Sequence, residues 1–364
     1  MLQPTTHTDN PQLEEQFRVA AVSIAVTVIV PMRNEAQRIG VCLDSILAND
    51  FDHEQLEILV VDGRSTDRSR TVVMERAGRS GVIQLLDNPA RIVSAALNIG
   101  IRNARGKVII IMGAHTEYSD NYIGTCLEEL EARQADVVGG VLETRAGGPG
   151  IVARCVALMS QHRFGVGGSA FRTHQKSGFV DTVPYGAYRR EVFERVGLFN
   201  EQLTRNQDFE LNARLCNAGG RLFLSTQIKA AYYNVPDYRR LVRQALSNGY
   251  WLPRMWFASR SSIRLRHAVP ALFVGTLLAS LFVTPFYAMA ALPGILALAM
   301  YAIAVSMAAG QIAWHHGPKL LFPLIAVFFT HHVGYGAGTL AGFLSCAIPS
   351  SRTPQEARPA ADQP

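Results

Sequence analysis

Five apolar runs set the rhythm of the first 142 residues: VSIAVTVIV, LEILVVD, VIQLL, KVIIIM and ADVVGGVL. Their β-branched residues run on without polar alternation, the pattern of strands buried on both faces. Between them, apolar positions recur at helical spacing over 35–47, 67–76, 90–104 and 120–132. Strand and helix in turn predict an α/β domain with a mostly parallel sheet. The chain is rich in glycine over 147–184, and GVGGSAFRTHQKSGFVDTVPYG (165–186) predicts a mobile loop at a functional site. In RNQDFELNARL the residues Phe209, Leu211 and Leu215 predict a helix that Gly219-Gly220 stops. RLFLS then predicts a short strand, and YRRLVRQALSNGYWLPRMWF an amphipathic helix.

The pattern changes at 268. No Asp, Glu, Lys or Arg occurs over 268–318 or over 320–351, and each stretch exceeds the roughly 20 residues needed to cross a bilayer. Candidate spans are 268–291, 292–313 and 320–346, the last either crossing or re-entering. The predicted organisation is a disordered polar lead-in (1–18), a globular domain (19–236), a basic interfacial segment (237–266), a membrane domain (267–348) and a tail (349–364). The apolar run 19–30 follows an acidic segment and reads as a buried strand rather than a leader.

Charge sharpens this picture. The net charge is +6, and Arg239, Arg240, Arg243, Arg254, Arg260, Arg264 and Arg266 crowd the residues just before the first apolar stretch. Such a collar favours contact with phospholipid at a cytoplasmic face. No recognition module accompanies it, which argues against a nucleic-acid partner. Five cysteines without C-x-x-C spacing argue against a zinc site or a disulfide framework.

In a parallel sheet ligands bind beyond the carboxyl ends of the strands. Pro31-Met32-Arg33-Asn34-Glu35 follows the first strand, with no G-x-G-x-x-G for a dinucleotide. Asp62 ends the second strand; a carboxylate there is costly unless something binds it. Gly113-Ala114-His115 follows the fourth, and a lone histidine in that place serves either as a structural residue or as a metal ligand. Asp208 opens its helix, where a carboxylate can act as a simple cap or as a functional group favoured by the dipole.

IVPMRNEAQRIGVCLDSIL, EILVVDGRSTDRS, DNPARIVSAALNIGIRNARG and VDTVPYGAYRREVFERVGLFNEQLTRNQD, in this order, resemble family 2 glycosyltransferases, most closely the succinoglycan-type exopolysaccharide enzymes. The resemblance covers about 27–251. It implies a GT-A-like, Rossmann-type, mostly parallel sheet, followed here by C-terminal transmembrane helices. By the same likeness Pro31, Arg33, Glu35, Asp62 and Ala114 would line the nucleotide-sugar pocket. Arg91 would contact the diphosphate, although a surface arginine on a helix is the plainer alternative. Asp181, Thr182, Pro184, Tyr185, Gly186, Gln207 and Trp251 would shape the acceptor and sugar pocket, and Asp208 would be the general base. Gln244 and Gly249-Tyr250-Trp251 match the family's closing motif only loosely.

The family carries D-x-D or D-A-H where this chain has Gly113-Ala114-His115. A divalent cation, Mn²⁺ or Mg²⁺, would then rest on His115 and the donor phosphates, and Gly113→Asp is expected to tighten its binding provided the strand end has room for the side chain. The expected activity is inverting transfer, with UDP-glucose as donor and a polyprenyl-diphosphate-linked glycan as acceptor. The enzyme would be a multi-pass protein of the cell inner membrane with its catalytic domain in the cytoplasm, alongside exopolysaccharide assembly proteins. A non-catalytic scaffold that only binds nucleotide is the alternative, and Gly113 is its main support.

Overall fold

The computed structural model describes residues 24–167, 169–173, 176–258 and 265–347. The expected lead-in (1–18), the tail (349–364), Arg260 and Arg264 lie outside them. The first half follows the predicted alternation: β1 (Val26–Met32), α1 (Ile39–Leu47), β2 (Leu56–Asp62), α2 (Ser69–Ser80), β3 (Ile83–Asp87), α3 (Val93–Asn103) and β4 (Val108–Ile111). All seven residues of β2 are buried, as the unbroken apolar run requires. The strands pair in parallel in the order β3-β2-β1-β4, with Met32 opposite Asp62 and Asp62 opposite Asp87. That register puts their carboxyl ends in one row.

Beyond β4 the sheet is mixed. β5 (Thr116–Tyr118), α4 (Tyr122–Ala132) and β6 (Val137–Arg145) follow in the chain, but β6 does not pair with β4. The three residues of β8 (Ala187–Arg189) slot between them, antiparallel to both. β6 instead pairs in parallel with β9 (Leu222–Tyr233), across a register shift at Gly140/Val141. β9 is longer than RLFLS predicts, because β5 and β7 (Gly178–Val180) also add to it. Each added neighbour satisfies backbone groups that a short isolated strand would leave open.

The glycine-rich stretch contains α5 (Ile151–Met159), α6 (Arg163–Val166), α7 (Ala170–Thr173) and β7, the last three falling at or within the predicted loop. Gly165 is buried against Met159, and Gly167 closes α6 with φ +59°. α8 (Glu191–Val196) and α9 (Gln207–Asn217) then lead to β9 and to α10 (Tyr238–Ala258).

The apolar C-terminal part forms α11 (Leu265–Val283), α12 (Ala291–His316) and α13 (Leu321–Ala347). Two segments, Ala288–His316 and Pro318–Ala347, are long and apolar enough to cross a membrane; His267–Val283 is shorter. The first turn comes at Thr284–Tyr287, earlier than 291, because Pro285 interrupts the helix. At that turn Phe286 and Tyr287 are 90% and 63% exposed, a pair of aromatics at a hairpin tip. The other turn, at Gly317, lies against the globular part, where Arg154 donates to the His316 carbonyl at 3.1 Å.

The glycines of α13 determine its neighbours. Gly334, Gly338 and Gly342 recur every fourth residue, and a Cβ on any of them would meet Ala245, Leu246 or Tyr250 of α10. Gly249 of α10 presses in return on the backbone of Tyr335. Tyr238 bonds Thr330 at one end and Trp256 meets Phe343 at the other, so α13 runs alongside α10 in the same direction. His332 is likewise absorbed in packing. Its Nε2 donates to the Phe164 carbonyl at 3.0 Å, and Tyr301 donates to its Nδ1 at 3.1 Å. Cys155, Val156 and Met159 of α5 share one core with Val305, Ile312, Leu324 and Phe328. The globular part and the apolar helices are therefore packed into each other.

Candidate active site

Three strand ends build one side of the site. After β1, the backbone amides of Asn34, Glu35 and Ala36 donate to Ser65 Oγ, Ser69 Oγ and Asp67 Oδ2 at 2.9, 2.7 and 3.1 Å. The loop after β2 thus clamps the loop after β1. Asp62 is wholly enclosed: Ser65 donates to it from its hydroxyl at 2.5 Å and from its amide, and Arg70 pairs with it at 2.8 Å. Its carboxylate holds this turn together. Two buried polar atoms nearby, Arg33 Nε and Asn88 Oδ1, have no hydrogen-bond partner. Arg33 rises from the end of β1, while Asn88 follows β3 and donates its amide to the Asp62 carbonyl at 2.8 Å. Unpaired buried groups at a ligand-binding edge are what a polar ligand would satisfy.

Arg91 is not on α3. It stands exposed in the loop two residues before the helix, with φ +59°, which a non-glycine residue adopts at a cost. Pro31 lies within β1, and Ala114 is buried behind His115.

Across from this loop, His115 Nδ1 donates to Glu35 Oε1 at 3.2 Å, and the ring lies 5.4 Å from that of Tyr232. A carboxylate on one imidazole nitrogen fixes the ring and directs the other outward, as metal-binding histidines require. No cluster of three His, Cys, Asp or Glu side chains occurs among the described residues. The protein thus offers a divalent ion one nitrogen, His115 Nε2. That donor set fits an ion held chiefly by phosphate oxygens of a bound nucleotide, with an imidazole preference for Mn²⁺ over Mg²⁺.

Gly113 cannot carry the missing carboxylate. A Cβ there would stand 2.5 Å from the Tyr185 hydroxyl and 2.8 and 2.9 Å from its ring carbons. Its amide donates to the Tyr118 hydroxyl at 2.6 Å, and its carbonyl accepts from Cys42 Sγ at 3.4 Å. Tyr185 is itself fixed. Tyr122 donates to its carbonyl at 3.1 Å and Thr116 to its hydroxyl at 3.3 Å, and burial raises its phenol well above the usual range. The room on which the Gly113→Asp expectation depends is therefore present only if Tyr185 moves.

α9 supplies the other side. Asn206, with φ +60°, starts the helix without a side-chain cap, so Asp208 is not the cap. Asp208 Oδ1 accepts from the Phe209 amide at 2.9 Å. Asp208 is half-buried. Burial raises its pKa above the ordinary aspartate value, while the backbone amides and Arg172 pull the other way. One turn on, buried Asn212 donates to Thr182 Oγ1 at 3.1 Å and accepts from Tyr188 at 3.2 Å. It thereby holds the 181–186 loop on α9. Within that loop Pro184 and Gly186 are buried against the sheet, and the Asp181 carbonyl accepts from Cys216. Gln207 opens α9 beside Asp208. Trp251 is more remote, on α10 against Tyr250 and Arg254, about a turn beyond Asn248, which Arg205 reaches at 3.3 Å.

Two residues here escape sequence reading. Arg172 of α7 lies over the rings of Phe171 and Tyr232, 5.4 Å from each, and its charge acts on Asp208 and Tyr185. Its only signal is being one of three arginines in a glycine-rich stretch. Asn212 had a better one, since it lies four residues after Asp208 and so on the same helix face.

The sequence model of glycosyl transferase family 2 matches residues 27–197. A dolichyl N-acetyl-alpha-D-glucosaminyl phosphate 3-beta-D-2,3-diacetamido-2,3-dideoxy-beta-D-glucuronosyltransferase of Methanococcus voltae is 30% identical over 234 residues, 62% of this chain and 71% of that protein. Succinoglycan biosynthesis protein ExoA of Rhizobium meliloti is 28% identical over 292 residues, 79% of this chain and 87% of that one. Among solved structures, mannosyltransferase PcManGT of Pyrobaculum calidifontis, in complex with GDP-Man and Mn²⁺, superposes with a TM-score of 0.58. It is 20% identical, with 88% of this chain and 87% of that one covered. At that identity the likeness establishes the GT-A-like fold.

Proposed function

The chain belongs to glycosyl transferase family 2 and is a glycosyltransferase, and from that premise we propose inverting transfer of a sugar from a nucleotide-sugar to a polyprenyl-diphosphate-linked glycan at the cytoplasmic face of a membrane. The observation that carries this reading is the position of Asp208. It stands half-buried in the first turn of α9, and its neighbour Phe209 meets His267 at the start of the apolar helices, ring centroids 6.2 Å apart.

The nucleotide would lie over the ends of β1 to β3, against Arg33, Glu35 and Asn88, with Asp62 fixing the turn that receives it. UDP-glucose is the donor we favour. His115, steadied by Glu35, would hold a divalent ion, which when bound would neutralise charge on the donor diphosphate. Arg91, exposed before α3, and Arg172, beside Asp208, are the cations available to the same phosphates. Asp181, Thr182, Tyr185 and Gln207 would border the sugar and acceptor. Asp208 accepts the proton of an acceptor hydroxyl while that oxygen bonds to C1 and the bond from C1 to the diphosphate oxygen breaks, with inversion. Its raised pKa makes it a better base than a solvated aspartate. The intact base and its tuned surroundings favour turnover over a non-catalytic scaffold role.

The uncharged outer faces of α11 and α12 support the membrane placement. Leu281, Phe282, Ile295, Met300 and Ile303 are all exposed, more apolar surface than a water-soluble face carries. A role in exopolysaccharide biosynthesis at the cell inner membrane, beside its assembly proteins, accords with the likeness to ExoA. The test is transfer from UDP-glucose to isoprenoid-linked acceptor glycans by the purified full chain, with the anomeric configuration of the product read by NMR. A product of inverted configuration is expected. Retention of configuration, or transfer to water-soluble glycans alone, would refute the reading.

A further inference from the structure

An apolar groove of about 460 Å³ lies between α10, α11 and α13, a size typical of small-ligand sites. Leu252, Ala271, Gly275, Thr276, Thr339 and Phe343 are among its lining residues. The Thr339 hydroxyl is turned back onto the Tyr335 carbonyl at 2.9 Å, so it presents no hydrogen to an occupant. Along α11 the lining runs from Ala268 to Ala279, three turns and roughly 16 Å of helix. The groove is open because its wall is small: a Cβ placed on Gly275 meets nothing within 4 Å.

Where the groove begins gives it a meaning. Its first lining residue, Ala268, follows His267, the ring that meets Phe209 beside the catalytic base. On its other wall Leu252 lies one turn beyond Asn248, to which Arg205 donates from the segment leading into α9. One end of the groove therefore lies beside the start of α9, and the other runs along the part of α11 that carries no charge. We infer that this groove binds the acceptor's polyprenyl chain beyond its first two isoprene units, holding the glycan it carries in register with Asp208. The inference rests on the proposed lipid-linked acceptor and adds where the lipid goes. A chain seated there would make the enzyme read tail length as well as glycan. It would also lower the entropic cost of presenting the hydroxyl to the base.

The experiment uses the full chain in nanodiscs and one glycan diphosphate carried on either an undecaprenyl or a geranyl tail. Gly275→Leu fills the groove from its open side. Gly310→Leu, on α12 where a Cβ likewise meets nothing within 4 Å, is the control outside it. Gly275→Leu is expected to raise KM at least about tenfold for the undecaprenyl acceptor, while KM for the donor and for the geranyl acceptor stay put. Gly310→Leu is expected to change none of these. An equal effect on both tails, no effect on either, or the same effect from Gly310→Leu would overturn the inference. A second measurement needs no turnover and no variant. A photoreactive polyprenyl diphosphate should label peptides of α11 and α13, and undecaprenyl phosphate should compete while phosphatidylglycerol does not. Labelling elsewhere, or equal competition by phosphatidylglycerol, removes the site. If that labelling holds while the wild type transfers to neither tail, the proposed reaction fails and the groove stands.

Discussion

The packing around Gly113 makes a prediction opposite to the one its sequence invites. Gly113→Asp ought to restore a family carboxylate, yet its Cβ would stand 2.5 Å from the Tyr185 hydroxyl and under 3 Å from two ring carbons. Tyr185 cannot simply swing away, because Tyr122 holds its backbone and Thr116 its hydroxyl. Gly113→Ala isolates the steric part, which overpacking places at about 1–3 kcal/mol. The aspartate adds a carboxylate with no partner in a buried position, roughly another 1–3 kcal/mol. At roughly 2–4 °C per kcal/mol for a domain of this size, melting should fall by several degrees for alanine and further for aspartate. The assay is thermal unfolding followed by intrinsic fluorescence, with donor binding by calorimetry in Mn²⁺, Mg²⁺ and chelator. Gly113→Asp should bind the donor more weakly in every condition and should gain no Mg²⁺ dependence. A double-mutant cycle with Tyr185→Leu locates the cause, since most of the alanine penalty should vanish in that background. Wild-type melting in Gly113→Ala, or a penalty indifferent to Tyr185→Leu, would show that the clash does not control this position.

Asp208→Asn should cut turnover by roughly 10²-fold or more, about 2.7 kcal/mol of transition-state stabilisation, with donor affinity retained; near-normal transfer by the variant would take Asp208 out of the reaction. The same substitution should raise the melting temperature at neutral pH. Burial lifts the folded-state pKa above the unfolded one, so the carboxylate's destabilising cost grows as pH rises between the two and is fully present above both. For the same reason kcat/KM should fall as pH drops through that raised value, giving an acidic limb above the usual aspartate range; a limb at the ordinary value, measured across buffers of constant ionic strength, would argue for a solvated base. Glu35→Gln, which replaces the carboxylate beside His115 Nδ1, should weaken Mn²⁺ binding in the presence of donor about 10–100-fold, and unchanged Mn²⁺ titration would free His115 from the proposed role.

Local sequence determined the parallel half of this protein. The runs through β1, β2 and β4 are apolar at nearly every position, and only a strand covered on both faces has use for that. It likewise marked the ligand-binding edge, the helix that Asp208 opens and the uncharged stretches at 268–318 and 320–351. Helix ends were less legible: α3 begins at Val93 rather than 90, which leaves Arg91 in a loop. Composition also flagged 165–186 as a loop, because glycines there serve close packing on Met159 and a helix stop that a local pattern cannot distinguish from flexibility.

Other features exist only in three dimensions. β8 is three residues long and acquires its identity by pairing with β4 and β6, which no periodicity within it could announce. Whether Gly113 has room for a carboxylate depends on Tyr185, a residue far along the chain that the sheet brings to it. The apolar run of α13 indicates that the helix avoids water, but the glycines at 334, 338 and 342 acquire a partner only once α10 lies against them. Periodicity records how far a side chain is buried. Which neighbour buries it is decided by pairing and packing between distant segments, and here that choice fixed what stands against Gly113, the course of the last helix and the groove between α10, α11 and α13.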